Sequence, residues 1–374
     1  MYNSKNYLTI KNIELELNNN NNNKYNINNK NILYINENGK FKRKEEMKFQ
    51  INYLIYLKKK WNNNLKLFLF FNLLYIIVLF NQIYKYKKNI NNLKICLCVI
   101  GKKENLYIKE FTNYYKKLGY NHIFLYDNND INDERFEDAI KKEVIQGFVS
   151  IINYRGFRGK DQNPQFDAYK DCYERQNKNY NWLSFFDIDE YLELYPLNIK
   201  VQNFLSQKKF KICQVIKINW LYYINNNSLY YENKPLQQRV NIPLFNNKVN
   251  EHIKSTVRGQ LLQNYWNKVQ NPHTSLNNFT TCSSSGKIIN SSSPYNIPAE
   301  LNFAYLKHYQ VKSFEEYCLK IKRGRPIPGF NIYRKKKIYS LIISSINDTK
   351  KLDIINKVFN ISVNNFNRSN YINI

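Results

Sequence analysis

Between residues 93 and 193, short apolar runs alternate with longer stretches whose apolar residues recur at helical spacing. Strands are predicted at residues 95–100, 122–126, 148–153 and 182–186, and helices at residues 105–118, 134–142 and 164–178. In the first helix Leu106, Phe111 and Leu118 lie on one stripe, and Gly119 ends it. The order β-α-β-α-β-α-β is typical of a parallel sheet covered by helices, so we expect an α/β fold.

After residue 193 the pattern changes to isolated strands joined by long loops. Residues 211–219, 220–223 and 301–310 predict strands. Ser313 and Glu316 form a capping box, which opens a helix running to about residue 322. We therefore place the folded domain at residues 93–330 and expect residues 331–374 to be a basic tail that is helical or partly ordered.

The fourth predicted strand ends in three acids. Residues 182–186, Trp-Leu-Ser-Phe-Phe, are followed by Asp187, Asp189 and Glu190. Ligands of open α/β sheets bind at the carboxyl ends of the strands, where these side chains would lie. In extended chain Asp187 and Asp189 share a face, and a cation such as Mg²⁺ or Mn²⁺ would relieve their repulsion. The alternative is a strand end followed by a solvated acidic turn.

The first 84 residues differ from the rest of the chain in composition and in their pattern of apolar residues. Residues 1–64 include an unbroken asparagine run at 18–23 and predict a disordered tail. Residues 65–84 are mostly apolar and just long enough to cross a bilayer, which predicts a transmembrane signal-anchor helix; a buried core helix is the alternative. More positive charge precedes this segment than follows it, so we expect a cytoplasmic tail and a luminal domain. All six N-x-S/T sequons follow the segment.

The amino-acid composition changes the predicted fold and partners only slightly. The 374 residues are 43% apolar and 16% aromatic, enough for a sizeable core. A net charge of +28 is compatible with nucleic-acid binding. However, the basic residues are spread along the chain without a recognisable nucleic-acid-binding motif, so we expect no nucleic-acid partner. The six cysteines lack C-x-x-C spacing; disulfides are possible in an oxidising compartment, but the sequence leaves their pairing open.

Several phrases resemble one enzyme family. They are Gly-Lys-Lys-Glu at residues 101–104, Leu-Tyr-Asp-Asn-Asn at 125–129, the block at 182–191, and a late block with His308-Tyr309, Ser313 to Glu316 and Lys322-Arg323-Gly324. Over residues 94–324 they are similar to glycosyltransferase family 92 and its family-2-like relatives. The resemblance implies a GT-A fold, a Rossmann-like, mostly parallel sheet flanked by helices. It also implies sugar transfer from a nucleotide-sugar donor with inversion, and a Mn²⁺ or Mg²⁺ ion at Asp187, Asp189 and His308.

Other candidates for contacting the nucleotide-sugar follow from their positions along the chain. The full set is Lys102, Glu104, Asp127, Asn128, Asp187, Lys254 and Arg258. The residues after the first two strands could contact the base, ribose or phosphate, although Asp127 also suits an ordinary turn. Lys254 and Arg258 could clamp a diphosphate or could simply be solvated.

An acceptor hydroxyl needs a general base. The candidates are Glu251, Glu315 and Glu316, although the last two also suit a helix start. The resulting prediction is a single-pass type II membrane glycosyltransferase of the secretory pathway, in the Golgi, acting on a glycan or glycoprotein. The alternatives are a catalytically silent, membrane-tethered glycan-binding or scaffold protein and a metal-dependent nucleotidyltransferase.

Overall fold

The computed structural model describes residues 51–56, 71–81, 92–156, 163–261, 279–289, 293–324 and 330–361. Its first half contains strands β1 (Ile95–Gly101), β2 (His122–Asp127), β3 (Val149–Asn153) and β4 (Trp182–Phe185), separated by helices α1 (Asn105–Leu118), α2 (Phe136–Ile145) and α3 (Pro164–Gln176). The predicted alternation of strands and helices is confirmed. Helix α1 ends at Gly119, whose φ of 104° is the left-handed backbone that favours glycine.

The second half is more irregular. It contains strands β5 (Glu190–Leu194), β6 (Val215–Ile224), β7 (Ile242–Pro243), β8 (Ile253–Arg258), β9 (Thr281–Cys282) and β10 (Ala304–His308), and helices α4 (Val201–Leu205), α5 (Leu236–Arg239), α6 (Phe314–Arg323), α7 (Phe330–Ser344) and α8 (Thr349–Phe359). The prediction of two strands at 211–219 and 220–223 is wrong, because β6 runs uninterrupted through Asn219. The Asn219 amide donates to the carbonyls of Asn250 and Asn296, so this polar residue is buried without breaking the strand.

The sheet is mixed, not wholly parallel. Its ten strands include the path β3-β2-β1-β4-β8-β6-β10-β5. Strands β1 to β4 are mutually parallel, β8 is antiparallel to both β4 and β6, and β10 is parallel to β6. The carboxyl ends of β1, β2, β4, β6 and β10 therefore meet at one edge, together with the amino end of β8.

The core lies on both faces of this sheet. In β1, Leu97 and Val99 pack in one apolar cluster, whereas Cys96 and Cys98 pack in the other, because successive residues of a strand face opposite sides. A disulfide between Cys98 and Cys172 joins β1 to α3. A second disulfide, Cys213–Cys282, joins the segment before β6 to β9, while Cys96 and Cys318 are buried thiols.

Helices α7 and α8 cover α6. A third apolar cluster brings Cys318 of α6 together with Ile342 of α7 and Ile354, Ile355 and Val358 of α8. Two helices thus occupy most of the segment that the sequence predicts to be helical or partly ordered. Residues 362–374 of that segment lie outside the described residues.

Only part of the predicted tail and anchor can be compared with the structure. Residues 51–56, at the end of the predicted tail, and residues 71–81, inside the predicted anchor, are helical. The remaining residues of 1–64 and of 65–84 lie outside the described residues. Within the described ranges, no helix has both the length and the apolar character needed to span a bilayer.

Candidate active site

The three acids form a tight turn at the carboxyl end of β4. The backbone N–H of Asp187 donates to Glu190 Oε2 at 2.9 Å, and the N–H of Glu190 donates to the carbonyl of Asp187 at 3.0 Å. Asp187 and Asp189 therefore lie in a turn, and the shared-face argument for an extended strand does not apply. Glu190 is fully buried, so its role is to hold the turn.

Asp187 is fixed by neighbours from α3 and β8. One carboxylate oxygen accepts hydrogen bonds from Gln165 Nε2 at 2.6 Å and Tyr169 OH at 3.0 Å, and the other lies 2.8 Å from Lys254 Nζ. The Lys254 ammonium is fully buried and also lies 3.7 Å from Glu190. Burial opposes its charge, but Asp187 and Glu190 hold the pKa of Lys254 above its usual value. A buried cation thus holds the acidic turn together.

Asp189 belongs to a separate group. Its carboxylate lies 2.7 Å from Lys320 Nζ and 3.9 Å from His308 Nε2, while its carbonyl accepts a hydrogen bond from the N–H of Tyr309. Burial opposes ionisation, but Lys320 and His308 hold the pKa of Asp189 well below its usual range. Burial lowers the pKa of His308 to about 4, although Asp189 opposes the shift. The pair therefore consists of a carboxylate and a neutral imidazole at pH 7.

This pair offers part of a metal site. Divalent Mn²⁺ is bound by both carboxylate oxygen and imidazole nitrogen, and His308 Nε2 lies 3.9 Å from the Asp189 carboxylate. Among the described residues, no three His, Cys, Asp or Glu side chains are grouped closely enough to enclose a metal. Asp189 and His308 thus fit two ligand positions, with Lys320 competing for the same carboxylate.

A cavity of about 480 Å³ opens between the β1–α1 loop and α6, and one of its lining residues, Lys320, pairs with Asp189. Lys312, Lys320 and Arg323 line it. Arg323 pairs with Glu104 and donates to the carbonyl of Lys102 at 2.7 Å, while Lys312 Nζ lies 3.9 Å from Glu104. The buried Glu104 thus holds Arg323 and Lys312, while Asp189 holds Lys320. The described lining carries five cations, with Lys103 and Lys322, against the four acids Glu104, Asp130, Glu134 and Glu316, and this excess of fixed cations suits an anionic ligand.

Four of the predicted nucleotide-sugar contacts lie at or just after the ends of β1 and β2. Lys102 Nζ pairs with Asp130 at 2.9 Å. Asp127 pairs with Arg155 at 2.7 Å, and Asn128 donates to the carbonyl of Tyr154 at 3.0 Å. These residues shape the same edge of the sheet as the acidic turn.

Arg258 does not join this group. It pairs in register with Trp182 at the start of β4, three residues before the strand ends, and its guanidinium stacks 4.3 Å from the Trp182 ring. The guanidinium also donates to the carbonyls of Phe210 and Cys213. Lys254 reaches the acidic turn because it lies at the other end of β8.

The three candidate bases differ sharply in what they contact. The Glu316 carboxylate receives two hydrogen bonds from Arg239 and one each from Tyr107 and the N–H of Ser313. Glu315 accepts a hydrogen bond from the N–H of Tyr231 at 3.1 Å. The half-buried Glu251 uses its backbone carbonyl to accept from Asn219, and its carboxylate has no hydrogen bond or ion pair in the described part of the chain.

Sequence reasoning missed the cations of α6. Glu316, Lys320 and Arg323 recur at i, i+4 and i+7 and share one face of the helix, which is the signal that could have identified them. In a chain with 57 lysines and arginines, that spacing did not distinguish them from solvated charges. Lys312, just before the helix, carried no such signal.

The fold and the site define an α/β protein that carries acids at the carboxyl ends of its parallel strands, the edge at which such sheets bind ligands. The sequence model of glycosyltransferase family 92 matches residues 91–353, and this chain therefore belongs to glycosyltransferase family 92. The family resemblance predicted from the sequence is confirmed.

Curated relatives match over a shorter stretch. A family 92 protein of Oryza sativa subsp. japonica is 25% identical over 117 residues, covering 31% of this chain and 19% of the relative. One of Arabidopsis thaliana is 30% identical over 112 residues, covering 29% of this chain and 18% of the relative. The matched stretch thus spans about a fifth of these relatives' length.

The chain is also similar to solved structures of one bacterial protein. S. aureus TarS 1-349 is 11% identical with a TM-score of 0.32, covering 73% of this chain and 74% of that one. Its complex with UDP-GlcNAc is 12% identical with a TM-score of 0.32, at the same coverage of both chains.

Proposed function

We propose that this protein transfers a sugar from a nucleotide-sugar donor to a glycan or glycoprotein acceptor, with help from a divalent metal ion and with inversion at the anomeric carbon. The observation that carries the proposal is the acidic turn of Asp187, Asp189 and Glu190, set at a sheet edge beside a cavity lined by lysine and arginine. Family membership supports the reaction type.

The cavity suits the diphosphate of the donor. Breaking a sugar–phosphate bond leaves negative charge on the diphosphate, and cations fixed before the reaction stabilise that charge most effectively. Lys312, Lys320 and Arg323 provide such cations, and Lys320 also contacts Asp189. Asp187, held by Gln165 and Tyr169, is oriented to accept hydrogen bonds from a donor hydroxyl.

Asp189 and His308 would hold the metal ion. When bound, Mn²⁺ or Mg²⁺ would neutralise charge on the leaving diphosphate, a contribution of several kcal/mol. Lys254 and Glu190 support the site indirectly, since they fix the turn that carries both aspartates.

Glu251 is the base that the geometry favours, because its carboxylate is not engaged elsewhere among the described residues. Inversion requires one displacement in which a base activates the acceptor hydroxyl opposite the leaving group. We expect Glu251→Gln to lower kcat by about 100-fold while leaving donor affinity within about twofold. Steady-state transfer rates and donor titrations measure both quantities.

Glu315→Gln is the matched control for this prediction. The Glu315 carboxylate accepts a hydrogen bond from a backbone N–H, and this variant should retain kcat within about threefold. A loss of turnover in Glu315→Gln with normal turnover in Glu251→Gln would reverse the assignment.

The proposed location is the lumen of the Golgi or another secretory compartment, with residues 65–84 as a single-pass type II anchor. Disulfides persist in oxidising compartments, and the pairs Cys98–Cys172 and Cys213–Cys282 support this placement. The six sequons after the proposed anchor agree with it.

The test is a titration of UDP- and GDP-sugars against the full chain with Mn²⁺, with and without chelator. Metal-dependent binding and hydrolysis of one donor, both lost in the Asp187→Asn/Asp189→Asn double variant, is the expected result. If the folded protein binds no donor, the catalytically silent scaffold becomes the better explanation. Donor binding that is unchanged by the chelator would contradict the proposed metal dependence. The lysines of the cavity would then bind the diphosphate without a metal ion.

A further inference from the structure

Five rings form a continuous series along the same edge of the sheet, and we call them the aromatic array. They are His308, Tyr222, Trp220, His252 and Tyr295. The Trp220 ring lies 4.2 Å from the His308 ring and 4.9 Å from the His252 ring, between centroids. His252 in turn lies 4.5 Å from Tyr295, and Tyr222 lies 6.0 Å from His308. These separations are typical of rings in contact.

Strand pairing fixes the array in place. Trp220 and Tyr222 are on β6, between β8 and β10, and the N–H of Trp220 donates to the carbonyl of His252 at 2.9 Å. A β-bridge then joins His252 to Tyr295. The array therefore starts beside Asp189, which lies 3.9 Å from His308, and leads away from it across the sheet edge.

The exposure of the rings argues against a purely interior role. Aromatic residues of the core, such as Tyr191 and Phe111, are fully buried. In the array only His308 is buried; Tyr222, Trp220 and His252 are half-buried, and Tyr295 is 39% exposed. Ordered, partly exposed rings beside a reaction centre offer flat apolar surface to a ligand that is itself partly apolar.

The charge around the array narrows the ligand class. Lysines act on one end of the array, Lys320 and Lys254 on His308 and Lys337 on Tyr222. At the other end, the charge that acts on His252 is that of Glu251. At the His252 end of the array, an anionic sugar would be repelled by Glu251. A neutral pyranose can place its C–H face on an aromatic ring and direct its hydroxyls toward Glu251.

We propose that the aromatic array is the acceptor subsite and that it binds a neutral hexopyranose by stacking. The proposal rests on the proposed function, because it places the acceptor sugar between Glu251 and the acidic turn. It adds a substrate class, uncharged sugars, and a group of residues that determine specificity.

Saturation-transfer NMR on the full chain tests this directly. Aromatic protein protons are irradiated in the presence of diamagnetic Mg²⁺, UDP and GDP, with methyl glycosides of galactose, glucose, mannose and fucose at millimolar concentration. Methyl glucuronide is the anionic counterpart. We expect saturation of the ring protons of at least one neutral glycoside and a weaker effect on the glucuronide.

Three variants are compared with the wild type. His252→Ala and Tyr295→Ala should weaken binding of that glycoside by about 3- to 10-fold, as expected for loss of one ring contact. Tyr230→Ala, an equally drastic change at a tyrosine that is 50% exposed outside the array, should not weaken it. Nucleotide protons in the same samples report the donor site and show that each variant is folded.

The outcomes separate the two proposals. Nucleotide saturation without saturation of any neutral glycoside overturns the acceptor subsite but not the proposed function. Wild-type glycoside affinity in both His252→Ala and Tyr295→Ala also overturns it. If the wild type binds neither nucleotide, the proposed function fails, and the acceptor subsite fails with it.

Discussion

Asp189→Asn is expected to lower sugar transfer by more than about 10³-fold, a loss of roughly 4 kcal/mol in stabilisation of the transition state. The asparagine keeps the size of the side chain but removes the charge that faces both Lys320 and His308. It would also leave the half-buried Lys320 ammonium without this counter-ion, although Glu104 would still hold Arg323 and Lys312. Initial transfer rates at saturating donor measure the effect.

Asp138→Asn is the matched control for that loss. Asp138 is exposed in the first turn of α2 and should tolerate the same change without loss of transfer. Circular dichroism should show both variants folded. If Asp189→Asn stays within about tenfold of the wild type, the acidic turn does not carry the chemistry and the proposed function loses its main support.

Glu316→Gln is expected to destabilise the fold by about 3–5 kcal/mol, because it breaks a buried ion pair and leaves Arg239 uncompensated. Two hydrogen bonds, at 2.6 and 2.7 Å, join the Arg239 guanidinium to Glu316, and both side chains are over nine-tenths buried. The same carboxylate completes the capping box of α6 with Ser313. Urea unfolding at pH 7 measures the difference in unfolding free energy.

The destabilisation caused by Glu316→Gln should decrease as the pH falls. Burial opposes ionisation, but hydrogen bonds from Arg239, Ser313 and Tyr107 lower the pKa of Glu316 from 4.5 to about 2. A depressed folded-state pKa contributes stability above the unfolded value, about 4.5, and that stability is lost as the pH falls toward 2. The contribution is about 3 kcal/mol, so Glu316→Gln should flatten the acid side of the stability profile.

Glu315→Gln, one residue away, serves as the comparison. The Glu315 side chain is less buried than that of Glu316 and lies outside the ion pair. The unfolding free energy of Glu315→Gln should therefore depend on pH as that of the wild type does. If Glu316→Gln and wild-type curves remain parallel between pH 3 and 7, Glu316 does not carry this linkage, and its candidacy as a base reopens.

Much of the first half of the fold could be predicted from sequence because its order is local. Each crossover from strand to helix to strand involves neighbours along the chain, and β1 to β4 run as apolar stretches between turns. The position of the three acids was predicted for the same reason, since they directly follow a buried strand. The turn that they form was only the alternative to an extended segment. The antiparallel pairing of β8 with β4 and β6 joins distant segments, which periodicity in a single sequence does not reveal.

The site was predicted only in part because its ion pairs join residues that are far apart in the sequence. Lys254 was a candidate, but its partner Asp187 lies in the turn after β4. Arg258, on the same strand as Lys254, lies at the opposite end. Lys320 contacts Asp189 although 131 residues separate them. Two strands were predicted at 211–219 and 220–223, yet β6 runs through Asn219, whose buried amide donates to nearby carbonyls. In each case tertiary hydrogen bonds outweighed the local pattern.

The pairing of β10 with β5 has a consequence for synthesis of the chain. It holds His308 opposite Glu190, and α6 then brings Lys320 to Asp189, 131 residues later in the chain. At about 5–20 residues per second, the ribosome completes Lys320 roughly 7–26 s after Asp189. For most of that interval the acidic turn has neither its histidine nor its lysine, because His308 is completed only 12 residues before Lys320. A nascent chain that stops before α6 would therefore carry the acidic turn without a complete site, and activity can appear only after nearly the whole family domain has been made.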